Sequence, residues 1–210
     1  MMVTTVLFDI GNVLTDDGHD TYLTHPEHGL LLAHQFPNTD ELTRIAQTFR
    51  EYAVINKTNA VDFWHDINSI LKTSFTAQDI AAATRRARSI NPEFTTVFKM
   101  LKNLNIAIGV ISNSLDFLYK ELSSALSLAN YVDQNLFFLS HQRGVLKSNG
   151  LFELAAKQLE PSSTLIIEDR AKNAAYARKL GFKVADYSLD SGKSLLKSVT
   201  LHLGLPQEVS

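Results

Sequence analysis

Val6-Leu7-Phe8-Asp9-Ile10-Gly11-Asn12-Val13-Leu14 is an apolar run that ends abruptly on a carboxylate and continues into a Gly-Asn turn. A strand that is buried on both faces of a sheet has a continuous apolar sequence, so its first polar residue marks where the chain leaves the sheet. Ligand sites in open α/β sheets lie outside these carboxyl ends of the strands. Asp9 is therefore predicted to lie where a ligand binds.

Four further apolar runs follow this segment, at residues 106–111, 136–139, 164–167 and 182–185. Helical patterns lie between them, with apolar residues three and four positions apart, as over 94–104, 115–126 and 151–159. The first of these helices is expected to open at Asn91-Pro92, a capping residue followed by a proline. Strands that alternate with helices predict an α/β fold, a parallel sheet with helices on both faces.

The connection after the first strand is unusually long, since about 90 residues precede the second strand, whereas connections in α/β units are short. It contains helical patterns and no convincing strand, and one of its helices is expected to start at Thr76 with Asp79 completing a capping box. We therefore predict an all-helical cap over residues 15–90, inserted above Asp9 into a core of residues 1–14 and 91–210.

Composition excludes several classes of function. The 210 residues carry a net charge of −2 and include no cysteine. This charge gives no field that would gather nucleic acid or an anionic membrane, and disulfide and thiolate chemistry are excluded. No apolar run approaches the roughly 20 residues that span a bilayer. A strand that begins almost at the N-terminus leaves no room for a signal peptide, so a cytoplasmic protein is expected.

Polar residues of the right kind follow two other predicted strands. Ser112-Asn113 ends the second strand, Glu168-Asp169 ends the fourth, and Lys147 lies before a helix between them. With Asp9 they bring three carboxylates, a hydroxyl and an amine to one sheet edge. Carboxylates suit Mg²⁺, which usually retains waters and a substrate phosphate. Mg²⁺, Lys147 and Ser112 together would neutralise a phosphoryl group, and one carboxylate could attack phosphorus.

Each of these residues taken alone has an ordinary structural explanation. An Asp after a strand is commonly a turn residue, and acidic residues such as Glu168-Asp169 favour the N-terminus of the following helix. A lone Lys147 would be a solvated surface residue. Their joint arrival at matching strand ends favours an active site over these explanations.

In these blocks the sequence resembles the haloacid dehalogenase-like superfamily. The blocks, in the family's order, are Phe8-Asp9-Ile10-Gly11-Asn12-Val13-Leu14, Ile111-Ser112-Asn113, Gly144-Val145-Leu146-Lys147, and Ile166-Ile167-Glu168-Asp169-Arg170-Ala171-Lys172-Asn173. The Gly-Asn-Val form is similar to that of glucose-1-phosphate phosphatase-like proteins. The resemblance implies a Rossmann-like core, Mg²⁺ as cofactor and a small phosphorylated metabolite as substrate, with a sugar phosphate favoured.

Roles for individual residues are also implied by the resemblance. Asp9 would be the nucleophile. The implied metal ligands are Asp9, Asp169, the main-chain carbonyl of Gly11 and Glu168, the last as a ligand or an outer acceptor. The implied contacts to the phosphoryl oxygens are Ser112, Lys147 and the amide of Asn113.

Gly11 departs from the commonest family pattern, which has a second Asp at this position as general acid and base. Losing such a proton donor typically costs about 100- to 10,000-fold in rate. Asp16, or else Asp17, is our hypothesis for a replacement. Two other functions stay open, a non-catalytic protein that binds phosphate or a partner and a 2-haloacid dehalogenase. His19, His25, His28 and His34 have spacings that match no compact zinc site, although His19 and Tyr22 are candidates for substrate contact.

Overall fold

A parallel sheet forms the centre of the protein. The computed structural model describes residues 2–16, 29–33, 38–54, 60–76, 78–79, 82–83 and 89–206. Its strands are β1 (Thr5–Phe8), β2 (Ala107–Ser112), β3 (Phe137–Leu139), β4 (Thr164–Glu168) and β5 (Lys183–Asp186). They pair in parallel in the order β3-β2-β1-β4-β5. All five predicted strands are therefore confirmed, and the N-terminal one is central.

The helices of the described residues alternate with the strands after β2, as the sequence predicts. They are α1 (Thr39–Val54), α2 (Ala60–Leu71), α3 (Phe94–Asn103), α4 (Asp116–Ala125), α5 (Ser140–Arg143), α6 (Leu151–Gln158), α7 (Ala171–Lys179) and α8 (Leu195–Leu203). Short 3-10 turns lie at Leu30–Ala33, Leu128–Asn130, Gln134–Leu136, Lys147–Asn149, Pro161–Ser163 and Leu189–Ser191.

Helices cover both faces of the sheet because successive residues of β1 point to opposite sides. Phe8 packs in one apolar cluster with residues of α3 and α8, whereas Leu7 packs in the other with residues of α6 and α7. Both side chains are fully buried. Burial on both sides explains why the strand has a continuous apolar sequence, and the predicted fold class is confirmed.

Gly109 shows how tightly this sheet is packed. It pairs with Leu7 across β2 and β1. A Cβ at this position would lie 2.4 Å from Cδ2 of Leu7 and 2.7 Å from the carbonyl oxygen of Leu136. Any larger residue would therefore have to displace backbone, which explains a glycine in the middle of a buried strand.

The segment between β1 and β2 contains helices, and within its described residues there is no strand beyond isolated bridges. Phe63, Trp64 and Ile67 of α2 form the centre of a third apolar cluster with residues of α1 and α4. The expected capping box is present, since the amide of Thr76 donates to Asp79 and the amide of Asp79 donates to the Thr76 hydroxyl. Ile80 and Ala87 of the same predicted helix lie outside the described residues.

The two chain segments that join this insertion to the core run side by side. Thr15 and Ile90 form an antiparallel bridge. Beside it, the amide of Asp16 donates to the carbonyl of Ser89, and the amide of Ser89 donates to the Asp16 carboxylate. We propose residues 15–90 as the cap, with boundaries at this bridge.

Asn91 corrects one prediction at the same junction. Helix α3 begins at Phe94 rather than at Asn91-Pro92. The Asn91 side chain accepts a bond from the amide of Glu93 (3.0 Å), but its NH₂ group donates to the carbonyl of Val13 (2.9 Å) and the hydroxyl of Tyr187 (2.8 Å). Asn91 therefore ties the second junction segment to the core in addition to preceding the helix. None of the helices formed by the described residues is both long enough and apolar enough to span a membrane.

Candidate active site

Asp9 directly follows β1 and lies at the middle of the carboxyl edge of the sheet. Its Oδ1 accepts a hydrogen bond of 2.8 Å from the amide of Ile10, and its Oδ2 forms an ion pair with Nζ of Lys147. The residue is only 6% exposed. Because β1 is the central strand, side chains that follow the strands on either side can reach this carboxylate.

Glu168 and Asp169, at the end of the neighbouring strand β4, have different surroundings. Glu168 is fully buried, and its Oε2 accepts from Nζ of Lys147 at 2.8 Å. Its Oε1 accepts from the amide of Arg170 (3.2 Å) and from Nδ2 of Asn173 (3.0 Å). Both oxygens of Glu168 are thus occupied, whereas Oδ1 of Asp169 is buried and has no hydrogen-bond donor among the described residues. This arrangement favours the outer acceptor role for Glu168.

Lys147 reaches Asp9 from the 3-10 turn at Lys147–Asn149 and is 1% exposed. Its amide donates to Oδ1 of Asn113 (2.8 Å), which joins this turn to the end of β2. The turn is closed by the Asn149 side chain, which accepts from the amide of Leu146 (2.9 Å). The ammonium group therefore has a fixed place between Asp9 and Glu168.

The loop after β2 is held by residues that the sequence did not single out. The amide of Ser114 donates to Oγ of Ser140 (2.9 Å), and the Ser114 hydroxyl is 2.9 Å from Nδ1 of His141. All three side chains are buried. They fix the backbone that carries Ser112 and Asn113, and the Ser112 hydroxyl makes a long contact of 3.4 Å with the carbonyl of Asn113.

Asn12 is a further residue whose contacts were not predicted. It has a left-handed backbone with φ of 55°, a conformation that Asn tolerates better than most residues. Its Nδ2 lies 3.4 Å from both Oδ2 of Asp169 and Oγ of Ser188, and its carbonyl accepts from the amide of Leu189 (2.7 Å). The Gly-Asn turn was the only signal in the sequence, and it indicated a turn without naming its partners.

Electrostatics separates the three carboxylates. Burial raises the pKa of Asp9 to about 7, although the Lys147 ammonium opposes this effect. Burial and the charge of Glu168 raise the pKa of Asp169 to about 6. Burial also disfavours the charged form of Glu168, but Lys147 and the donors around the carboxylate outweigh it and lower this pKa. Asp9 and Glu168 raise the pKa of Lys147 despite its burial. The Lys147 ammonium therefore does not fully compensate the negative charges of Asp9 and Asp169.

The donor set fits a hard divalent cation. One carboxylate oxygen from each of Asp9, Glu168 and Asp169 lies within 4.8 Å of the others. A divalent cation would offset the burial that raises the pKa values of Asp9 and Asp169, and it would give Oδ1 of Asp169 a partner. We propose that Asp9 and Asp169 would hold Mg²⁺ and that Glu168 orients Lys147 beside them.

A cavity of about 410 Å³ adjoins Asp9. We call its polar part the reaction end, which the predicted residues Asp9, Gly11, Ser112, Asn113 and Lys147 line. The structure thus brings together most of the residues that the sequence singled out, and Glu168 and Asp169 join them through the carboxylate cluster.

Asp16 is placed differently. Its Oδ2 accepts from the amide of Ser89 (2.7 Å), and within the described part of the chain Asp16 is not among the residues that line the cavity. Asp17, Tyr22 and the four histidines at 19, 25, 28 and 34 lie outside the described residues.

Comparison with known proteins agrees with this geometry. A sequence profile of the haloacid dehalogenase-like hydrolases matches residues 3–181. The chain belongs to this family. No curated protein matched this haloacid dehalogenase-like hydrolase.

Solved structures of the family share its fold. A haloacid dehalogenase family enzyme from Bacteroides thetaiotaomicron superposes with a TM-score of 0.73 at 17% identity, over 93% of this chain and 97% of that one. A predicted haloacid dehalogenase-like family hydrolase from Porphyromonas gingivalis gives a TM-score of 0.64 at 18% identity, over 97% of this chain and 98% of that one. The L-2-haloacid dehalogenase of Xanthobacter autotrophicus gives 0.59 and 16%, over 99% and 91%. The Bacteroides enzyme has also been crystallised with magnesium and inorganic phosphate.

Proposed function

We propose that this protein is a Mg²⁺-dependent phosphatase that hydrolyses a small phosphate monoester through an aspartyl-phosphate on Asp9. The observation that carries the proposal is the meeting of the Asp9 carboxylate, the Lys147 ammonium and the Ser112 hydroxyl in one cavity, beside a cluster of three carboxylates. The magnesium and phosphate complex of the Bacteroides enzyme, which has the same fold, supports it.

The reaction would proceed in two displacements at phosphorus. In the first, a carboxylate oxygen of Asp9 bonds to phosphorus while the ester P–O bond breaks. Lys147, Ser112 and the amide of Asn113 would hold the phosphoryl oxygens and stabilise their negative charge. Bound Mg²⁺ would add positive charge at the same oxygens. In the second displacement, water attacks phosphorus, the bond to Asp9 breaks, and inorganic phosphate leaves.

Protonation of the leaving group is the step for which Gly11 supplies no side chain. Asp16 stays our candidate for this acid, and since its carboxylate bonds to the amide of Ser89, the role requires the junction to shift when substrate binds. Asp16→Asn should then slow hydrolysis of an alkyl phosphate and spare acetyl phosphate, whose leaving group needs no proton. Equal rates for both enzymes on the alkyl ester would exclude Asp16.

The decisive test compares wild type with Asp9→Asn for phosphate release from sugar, nucleotide, alkyl and acyl phosphates, with Mg²⁺ and with a chelator. We expect turnover that requires Mg²⁺ and is lost in the variant. Thermal unfolding of both proteins controls for misfolding. A sugar phosphate remains the substrate predicted from the Gly-Asn-Val resemblance, and the panel includes glucose 1-phosphate for that reason.

Chloride release and phosphate binding, measured on the same two proteins, address the two other functions. A dehalogenase would release chloride from a 2-haloacid through Asp9 without metal, and the absence of an acid at Gly11 is compatible with a halide leaving group. Chloride release that a chelator does not affect would favour it. Phosphate binding without turnover of any ester would indicate a non-catalytic protein. The carboxylate cluster around Asp9 favours the phosphatase over both.

A further inference from the structure

The cavity beside Asp9 is also lined by apolar side chains. We call this set of residues the apolar end: Leu115, Leu118, Leu122, Tyr119, Phe49 and Leu146. None of the five apolar side chains offers a hydrogen bond. The apolar end is therefore distinct from the reaction end, where every predicted residue is polar or contributes backbone.

Two helices supply most of this wall. Leu115, at the N-terminus of α4, and Leu118 and Leu122 within it are three and seven positions apart, so they share one helix face. Leu118 and Leu122 are only partly buried although they are apolar. From α1, Ala46, Phe49 and Arg50 line the same cavity. A face of α4 that packing leaves incompletely covered is thus available to a ligand.

Between Ser114 and Leu122, the hydroxyl groups that line the cavity belong to Ser114 and Tyr119. The Tyr119 hydroxyl already bonds to the side chain of Ser123, and the Ser114 hydroxyl, where the apolar end begins, already bonds to His141. A sugar ring placed against Leu115, Leu118 and Leu122 would lose water from the hydroxyls that face these side chains, because a leucine side chain offers no replacement partner. Each such loss costs about 1–3 kcal/mol.

Arg50 is the charged residue of α1 at this cavity, and within the described part of the chain it forms no hydrogen bond or ion pair. A guanidinium group binds the face of an aromatic ring favourably. Ligand cavities commonly measure about 300–1,000 Å³, so 410 Å³ has room for a phosphoryl group and roughly one ring.

We infer that the substrate is a phosphate monoester whose leaving group carries an apolar ring, preferably aromatic, that binds between α4 and Phe49 and Arg50 of α1. The inference rests on the proposed function, because the phosphoryl group must lie at Asp9 for the ring to reach this wall. It departs from the sugar phosphate prediction, which rests on the Gly-Asn-Val resemblance alone.

The test compares benzyl phosphate with glucose 6-phosphate, since both esters release a primary alcohol and differ mainly in the ring. We expect kcat/KM for benzyl phosphate to be at least about tenfold higher, the smaller end of what apolar contacts discriminate. Leu118→Asn should lower kcat/KM for benzyl phosphate relative to acetyl phosphate about tenfold. Leu201→Asn, at an exposed apolar position on α8, is the matched control and should leave this ratio unchanged.

The outcomes separate the inference from the proposed function. Equal or better turnover of glucose 6-phosphate, with acetyl phosphate hydrolysed through Asp9, would overturn the inference and keep the phosphatase. If no ester is hydrolysed, calorimetry with Mg²⁺ and benzylphosphonate or methylphosphonate still tests the ring. Benzylphosphonate should bind at least about tenfold more tightly, and equal affinities would overturn the inference.

Discussion

The reaction end and the apolar end of the cavity are built by different means. Asp9 and Ser112 lie at strand ends and Lys147 lies in a short 3-10 turn, and the two charged residues form a buried ion pair. Leu118 and Phe49 project from helices and are held by apolar packing. Removing a buried charge leaves its partner uncompensated, whereas apolar swaps of similar volume cost little. The chemistry is therefore resistant to sequence change, while the shape of the ligand site is easily altered.

Lys147→Met should have the largest effect because it removes the only charge of the reaction end that pairs with both Asp9 and Glu168 among the described residues. Asp9 and Glu168 would remain buried without their shared cation. We expect the free energy of unfolding to fall by about 3–5 kcal/mol and kcat to fall by about 100- to 1,000-fold. Chemical denaturation and phosphate release measure the two effects. Lys179→Met, on the exposed side of α7, should change neither, and a Lys147→Met protein as stable as wild type would contradict the ion-pair argument.

Phe63→Ala should destabilise the protein by an amount similar to that of Lys147→Met, but it should leave the reaction at Asp9 intact. Phe63 is 1% exposed and packs against the rings of Tyr52, Trp64 and Phe117. We expect the free energy of unfolding to fall by about 3–5 kcal/mol, with acetyl phosphate still hydrolysed below the melting temperature. Leu42→Ala, at a half-exposed position of α1, is the control and should cost much less. Complete loss of acetyl phosphate turnover in folded protein would show that the two ends are not separable.

The pH dependence of Mg²⁺ binding should come from the carboxylates beside the reaction end alone. The folded pKa values of Asp9, about 7, and Asp169, about 6, are raised, so the metal-free protein loses stability as pH rises from about 4 to about 7. Mg²⁺ binds the ionised carboxylates, so its Kd should be about twentyfold lower at pH 8 than at pH 6, about tenfold of it from Asp9 and about twofold from Asp169. Calorimetry at the two pH values measures this. In Asp9→Asn the ratio should shrink to about twofold, and a ratio that stays at about twenty would point to another group.

Substitutions at Asn12 should have the smallest effect and separate conformation from hydrogen bonding. Asn12→Gly keeps access to the left-handed backbone and loses the side-chain bonds, so we expect about 0.5–1 kcal/mol less stability. Asn12→Ala should lose about 1 kcal/mol more, because a Cβ is unfavourable at φ of 55°. Urea denaturation compares the two. Equal stabilities would mean that the loop relaxes out of this conformation.

The elements of the fold were predictable because their signals are local. Each strand is a short apolar run, and the capping box of Thr76 and Asp79 lies within four residues. The site residues were predictable for the same reason, since Asp9, Ser112 and Glu168 follow recognisable strands. Because the carboxyl ends of parallel strands lie at the same edge of the sheet, these residues were expected to lie there together.

What the sequence could not supply is the network that fixes these residues. Asn12 meets Asp169 across 157 positions of the chain, and Asn91 meets Tyr187 across 96. No periodicity connects residues so far apart, so Asn91 was interpreted only through its neighbours, as a helix cap. The different roles of Glu168 and Asp169 could not be predicted either, because they depend on hydrogen bonds that Lys147 and Asn173 donate to Glu168.

The bridge between Thr15 and Ile90 has a consequence for how such a protein can change. The chain departs from the sheet and returns to it at adjacent points, so the intervening segment is a closed loop whose ends the core already holds. The entropy of closing a loop grows only with the logarithm of its length. Residues can therefore be added to or removed from this loop, or the whole of it exchanged for another helical unit, without any strand having to find a new neighbour.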